Sequence, residues 1–472
     1  MSQPTLFPRL ALTLLCASLA ACGSLIPDYQ RPAAPVPAQF PVASQPPAAT
    51  SDAPSAPDLP WQAFFTDPRL QQLIQLALDN NRDLRLALLN VEQARSLVDV
   101  RKADRYPTVN AGLGLTRQTV GGGATTSSYN AGLLVTSYEV DLFDRLRSLS
   151  DAAFAQYLAS TQAGRAAQIS LIGSVANAWY ALQTDRALER LAQQTTKTRE
   201  DSLGLIQLRF DKGASSQLDL SQAQSLLQAA RASLAQSTRQ RLQDENALAL
   251  LLGQSRAPEA LLAADEALPA PLAELPVGLP SEVLLRRPDV LQAEQQLMAA
   301  NANIGAARAA FFPKILLTAS AGSVSSALAD LFSDGTFGWS LAPQLLLPIF
   351  DAGRNQANLA AARVGRELAL ASYEKAIQTA FKEVADALAG RATLDQQLAA
   401  QTAQTQAEME RSRLTELRYQ NGASSYLEVL DAQRALFASQ QAELQLKAQA
   451  QQNLATLYRV LGGGWSAEDK KS

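Results

Sequence analysis

The sequence predicts an α+β membrane protein made of two successive copies of one unit, a pair of β-strands followed by a very long helical hairpin. Three observations predict it. A twenty-residue stretch occurs twice, LRFDKGASSQLDLSQAQSLL at 208–227 and LRYQNGASSYLEVLDAQRAL at 417–436, and half of the aligned positions are identical. Pro-free segments rich in Ala, Leu and Gln run into and out of each copy, and that composition favours long helices. Upstream of each copy the hydrophobic period changes from 3.6 to 2 over two runs of about ten residues, the length of a transmembrane β-strand.

Composition removes several classes of function. The 472 residues carry 41 basic and 44 acidic side chains, so the basic surface that a nucleic-acid partner needs is missing. There is no His, which removes His-based acid–base chemistry and most zinc sites. No nucleophile–base pair stands out, and neither an enzyme nor a cofactor is expected.

The N-terminus reads as an export signal over residues 1–21. Arg9 supplies the positive charge, and residues 10–19 form an apolar core too short to span a membrane as a helix. The segment ends Leu19-Ala20-Ala21-Cys22-Gly23, which resembles the lipobox of bacterial lipoprotein signals. Cys22 is therefore the expected lipidation site, and an ordinary secretory signal is the alternative. Gly23, in place of Asp, points to outer-membrane sorting. Cys16 leaves with the signal, so no disulfide is expected.

Residues 22–60 read as a lipid-anchored linker. Pro fills ten of the 34 positions from 27 to 60, and such a segment builds no core. Extended at ~3.1 Å per residue, it would reach about 100 Å from the anchor. The first repeat covers 61–253. It opens with one helical pattern from Trp61 to about Asp104 that breaks at Tyr106-Pro107. Val109, Ala111, Leu113 and Leu115 then alternate with Asn110, Gly112, Gly114 and Thr116. Tyr129, Ala131, Leu133 and Val135 do the same beyond a glycine loop at 121–123. That loop lacks the Lys-Ser/Thr of a phosphate-binding loop. From Asp144 the chain is Pro-free to the first tip.

A connector, 254–280, leads to the second repeat, 281–464, and a charged tail, 465–472. The second repeat has its own alternating runs, Ile315 to Ala321 and Phe337 to Leu341. The two copies are offset by 206 residues at Pro107/Pro313, 207 at Phe143/Phe350 and 209 at Gly213/Gly422. A nearly constant offset across strands, helix and tip indicates duplication.

Each tip has its own logic. Gly213 and Gly422 fit the left-handed position past a helix end. Ser216 with Asp219, and Ser425 with Glu428, have capping-box spacing, so a new helix is expected to start at once. Two tips and four strands follow. Four strands cannot close a barrel, and an open strand edge is not tolerated in lipid. Several chains must then share one barrel, with two giving eight strands and three giving twelve.

The chain resembles the TolC-like outer-membrane channels, in particular the lipoprotein branch serving resistance–nodulation–division (RND) efflux pumps. The motifs are WQAFFTDP from Trp61, ALDNNRDL from Ala77, LLRRPDV from Leu284 with Ala293-Glu294, AAFFP ending at Pro313, Phe350-Asp351-x-Gly353-Arg354, and both tips. The resemblance implies a homotrimer with a twelve-stranded barrel in the outer membrane, continued by a long α-helical coiled-coil tunnel in the periplasm. It implies a passive exit duct for drugs or other solutes, docked to a periplasmic adaptor and an inner-membrane pump of RND type. It also implies that Glu428 and Asp431 ring a constriction at the tips, that Asp219 and Tyr419 tie neighbouring tips together, and that Gly213 and Gly422 are turn residues contacting the adaptor. A basic residue found after the tip Gly in some relatives is Ser424 here. A poreless coiled-coil spacer, a protein-secretion duct and a metal exporter are the alternatives. A spacer has no use for four alternating strands. Past Cys22 only Met298 and Met409 remain as soft metal ligands.

Overall fold

A computed structural model describes residues 24–41, 59–120, 124–262 and 281–463. The predicted signal, Cys22 and its lipid, the glycine loop 121–123 and the tail 465–472 lie outside the described residues, as do parts of the linker and connector. In chain order the elements are α1 (Trp61–Phe64), α2 (Pro68–Asn80), α3 (Arg82–Ala103), β1 (Val109–Val120), β2 (Ala124–Val140), α4 (Arg145–Asp211), α5 (Gln217–Leu251) and α6 (Glu259–Leu262). A 3-10 turn (Ser281–Arg286) precedes α7 (Pro288–Ala309), β3 (Lys314–Ser325), β4 (Phe337–Leu346), α8 (Arg354–Gln420) and α9 (Tyr426–Val460). The chain forms two compact units. Of the described residues, one holds 24–33, 89–161 and 291–375; the other holds those within 34–88, 162–290 and 376–463. Among the described residues no helix is long and apolar enough to cross a membrane.

In the first unit the strands form one antiparallel sheet in the order β1-β2-β3-β4. Because partners directly opposite share a face, the register sorts the side chains. Ala111 pairs with Leu133, Leu133 with Ala321, and Ala321 with Trp339, an apolar row across all four strands on one face. Leu113, Leu133, Trp339 and Leu341 are exposed on it. The opposite face carries Asn110, Thr116, Asn130, Ser320 and Ser340, and the Ser320 and Ser340 hydroxyls are 2.8 Å apart. Gly112, Gly132, Gly322 and Gly338 form one row across all four strands. A Cβ on Gly322 would run into Ala131 O and Gly132 Cα of β2, so β2 and β3 lie too close there for a side chain. A bulge at Ser137 (φ 60°) shifts the β2–β3 register after Val135.

The first part of the linker corrects the sequence reading, because residues 25–31 lie along α7. Arg308 Nη1 donates to Leu25 O (3.1 Å), Asn301 Nδ2 donates to Pro27 O (2.7 Å), and Arg31 forks onto Glu294 with two 2.7 Å bonds. Tyr29 donates to the same carboxylate. Glu294, Asn301, Gly305 and Arg308 recur at helical spacing on one side of α7, and a Cβ on Gly305 would strike Ile26. Residues 25–31 are thus seated on α7, and this first part of the linker is not a free tether.

The two hairpins are equal in length. The helices α4 and α8 each have 67 residues, and α5 and α9 each have 35. The single helical pattern expected over 61–104 is in fact three helices. Asp67 caps α2 through Arg69 N (2.8 Å), with Pro68 at the first position, and the Asn81 side chain accepts from Leu84 N (2.8 Å) at the start of α3. Phe64 stacks on Tyr458 at 4.1 Å, and the Tyr458 hydroxyl donates to Leu59 O. Arg287 is buried with its guanidinium bonded to Asp289, Glu383 and Val460 O. It is a structural corner.

Candidate functional site: the hairpin tips

Both tips of the second unit turn in the same way. Gly213 (φ +70°) donates to Phe210 O and Ala214 to Arg209 O; Gly422 (φ +73°) donates to Tyr419 O and Ala423 to Arg418 O. This is the Schellman pairing that satisfies the last helical carbonyls. Nothing lies within 4 Å of where a Cβ on either glycine would be. Glycine is required here by backbone conformation and not by crowding.

The restarts differ. At the first tip the capping box is complete: Asp219 N donates to Ser216 Oγ (3.1 Å) and Ser216 N donates to Asp219 Oδ2 (3.2 Å). Burial raises the Asp219 pKa, but hydrogen bonds from Ser216 and Ser215 outweigh it and hold the carboxyl below its ordinary range. At the second tip the predicted box does not close. Ser425 is the N-cap, yet its hydroxyl takes no helical N–H and points instead to Glu428 Oε1 at 3.5 Å. Glu428 is one methylene longer than Asp219 and carries its carboxylate out to the serines. Bonds from the Ser424 hydroxyl and the Ser425 N–H keep it ionised below its ordinary pKa. Ser424 thus supports the ionised Glu428 by a hydrogen bond and, unlike a basic residue, adds no positive charge beside it.

Between the tips lies an apolar cluster of Ile206, Leu220, Ala223, Leu226, Tyr426, Val429 and Leu430. Tyr419 packs on it, 5.4 Å from the Tyr426 ring. Burial pushes the Tyr426 phenol up to about 12. Arg209 lies over the Tyr419 ring at 5.1 Å and donates to its hydroxyl at 2.8 Å. This tie joins the two tips of one chain, and sequence reasoning missed Arg209. The available signal was the aligned pair Phe210/Tyr419, where a hydroxyl appears in only one copy beside an Arg present in both. Arg199, seven residues before Ile206, is only 7% exposed, and its Nη1 has no partner.

Glu428 and Asp431 are both exposed, three residues apart on α9, and so share a face. Asp219 is half-buried and committed to its cap, with no hydrogen bond to Tyr419. The exposed leucines fall into equivalent sets, Leu205, Leu208 and Leu218 on one tip and Leu414, Leu417 and Leu427 on the other. Cys22 lies outside the described residues. Among the described residues no cluster of His, Cys, Asp and Glu suits a metal ion.

Comparison with known proteins gives this geometry its context. The sequence model of the family described as Outer membrane efflux protein matches residues 73–254 and 279–463. The toluene efflux pump outer membrane protein TtgC of Pseudomonas putida is 46% identical over 469 residues, covering 97% of this chain and 95% of its own. The outer membrane protein OprJ of Pseudomonas aeruginosa is 44% identical over 461 residues, covering 96% and 95%. The crystal structure of the open state of the Neisseria gonorrhoeae MtrE outer membrane channel superposes with a TM-score of 0.83 at 40% identity, covering 94% of this chain and 98% of that one. The chain belongs to the outer membrane efflux protein family, as a non-enzymatic channel that works in the outer membrane with the other components of an efflux pump.

Proposed function

We propose that three copies of the chain form a passive exit duct with a twelve-stranded barrel and an acidic mouth at the tips. The observation that carries this reading is the sheet. It has one mainly apolar face, one mainly polar face, and two edges, β1 and β4, that no other strand among the described residues covers. In lipid those edges need partners, and copies of the same chain supply them. The equal 67- and 35-residue helices support an origin by duplication. The leucine sets present two equivalent apolar patches for a periplasmic adaptor, which links the duct to an RND-type pump. A lipid on Cys22 adds an anchor in the outer membrane. Toluene is named for the relative TtgC and for two others, and small apolar solutes or drugs are the cargo proposed here.

In the trimer Glu428 and Asp431 bring six carboxylates to the mouth, which favours cations. Asp219 and Tyr419 brace the tips, the first through its cap and the second through Arg209. Single-channel conductance in a planar bilayer tests the reading. Discrete steps are expected for wild type, with weaker cation selectivity and longer openings for Asp431→Ala. An inserted oligomer that shows no steps would defeat the duct, whereas a mutant matching wild type would defeat only the acidic mouth.

A further inference from the structure

We propose that the second unit carries a small-molecule site between α4, α8 and α9. Its ligands are uncharged and mainly apolar, with one group that both donates and accepts a hydrogen bond, such as a carboxamide. A cavity of about 350 Å³ opens there, walled by Tyr180, Ala187, Leu398, Leu444, Ala448 and Leu454. That volume lies within the range of small-ligand pockets, which are apolar with few polar groups. Two glutamine amides supply the polar groups. Gln183 lines the cavity from α4 and Gln451 from α9. Gln183 Nε2 and Gln451 Oε1 are both buried and without a partner.

Buried donors and acceptors in native proteins are nearly always paired, so an unmatched donor and an unmatched acceptor on two helices that line one cavity describe a missing third group. That group must accept from one glutamine and donate to the other. Rotating either amide exchanges its donor and acceptor, and a carboxamide answers both arrangements. Charge has no part in the recognition. Of the charged lining residues, Lys447 is paired with Glu443 at 2.7 Å, and Asp395 is exposed to water. Because α4 belongs to one hairpin and α8 and α9 to the other, a bound molecule bridges the two.

Binding is read on the purified, assembled full-length protein by calorimetry and saturation-transfer NMR, without reference to transport. The probe is 1-naphthamide, and 1-methylnaphthalene is the analogue lacking the polar group. Saturable binding at one site per chain is expected. Replacing both amides, Gln183→Leu with Gln451→Leu, weakens naphthamide about tenfold and leaves methylnaphthalene unchanged or tighter. Filling the cavity by Ala448→Phe abolishes both, and Ala187→Phe does so from the opposite wall should the first variant fail to assemble. The site is refuted if uptake is only the unsaturable partitioning of a detergent micelle, which leaves the cavity holding water alone, or if both filled variants still bind the probe.

Discussion

Tyr419 differs from its counterpart Phe210 by one oxygen, and that oxygen accepts the bond from Arg209. A hydrogen bond to a charged donor contributes roughly 1.5–3 kcal/mol, and the cation over the ring about 0.5–1 more. Tyr419→Phe removes the first and Arg209→Ala removes both. Each is expected to make channel openings more frequent in single-channel records, Arg209→Ala more so, and the double variant should match Arg209→Ala because the partners act as a pair. Additive effects would separate the two residues. A second residue prediction concerns Asp185. Burial, with a hydrogen bond and repulsion from Asp244, raises its pKa from 3.8 to about 7. Between those values the folded chain holds a proton that the unfolded chain has lost, so stability falls as pH rises through that window. Asp185→Asn escapes this loss. It should melt at a higher temperature than wild type at pH 8, with the gap closing by pH 4; a gap independent of pH would contradict the pairing.

At the scale of elements, the glycine row makes a sharp prediction, because its members do not have equal room. A Cβ on Gly322 strikes the backbone of β2, which cannot step aside, whereas one on Gly338 meets nothing within 4 Å. Gly322→Ala is expected to reduce assembled protein in the membrane severalfold, scored as the heat-modifiable oligomer on a gel, while Gly338→Ala assembles normally. Equal yields would mean that the sheet relaxes. The same strands show what was legible in the sequence. Val109 to Leu115 and Tyr129 to Val135 announced their faces because alternation at period 2 follows directly from the pleat. The tip glycines were legible because φ > 0 selects for glycine. Pairing between distant segments was not legible. Glu294, Asn301 and Arg308 look like ordinary polar positions on a helix until Arg31, Pro27 and Leu25 are laid on them. The failed second capping box turned on a single methylene, below what residue class and spacing resolve.

At the scale of the whole molecule, the open question is how many copies share the barrel, and the sheet edges can answer it. Within one chain β1 and β4 are separated by β2 and β3, so their backbones lie about 14 Å apart at ~4.8 Å per strand. A disulfide needs Cα atoms within about 7 Å, so cysteines on β1 and β4 can join only between copies. The chain has no cysteine after Cys22, which makes the background clean. Asn110→Cys on β1 would be combined with Ser340→Cys, Ala342→Cys or Gln344→Cys on β4, all on the polar face. Several β4 positions are needed because the stagger between copies sets which one meets residue 110. One combination is expected to give a ladder of covalent dimer and closed trimer after mild oxidation in membranes, with nothing larger. A ladder ending at dimer would mean an eight-stranded barrel from two chains. Absence of cross-links in every combination would remove edge pairing as the basis of assembly, and with it the argument that an edge left open in the chain is closed by its neighbour.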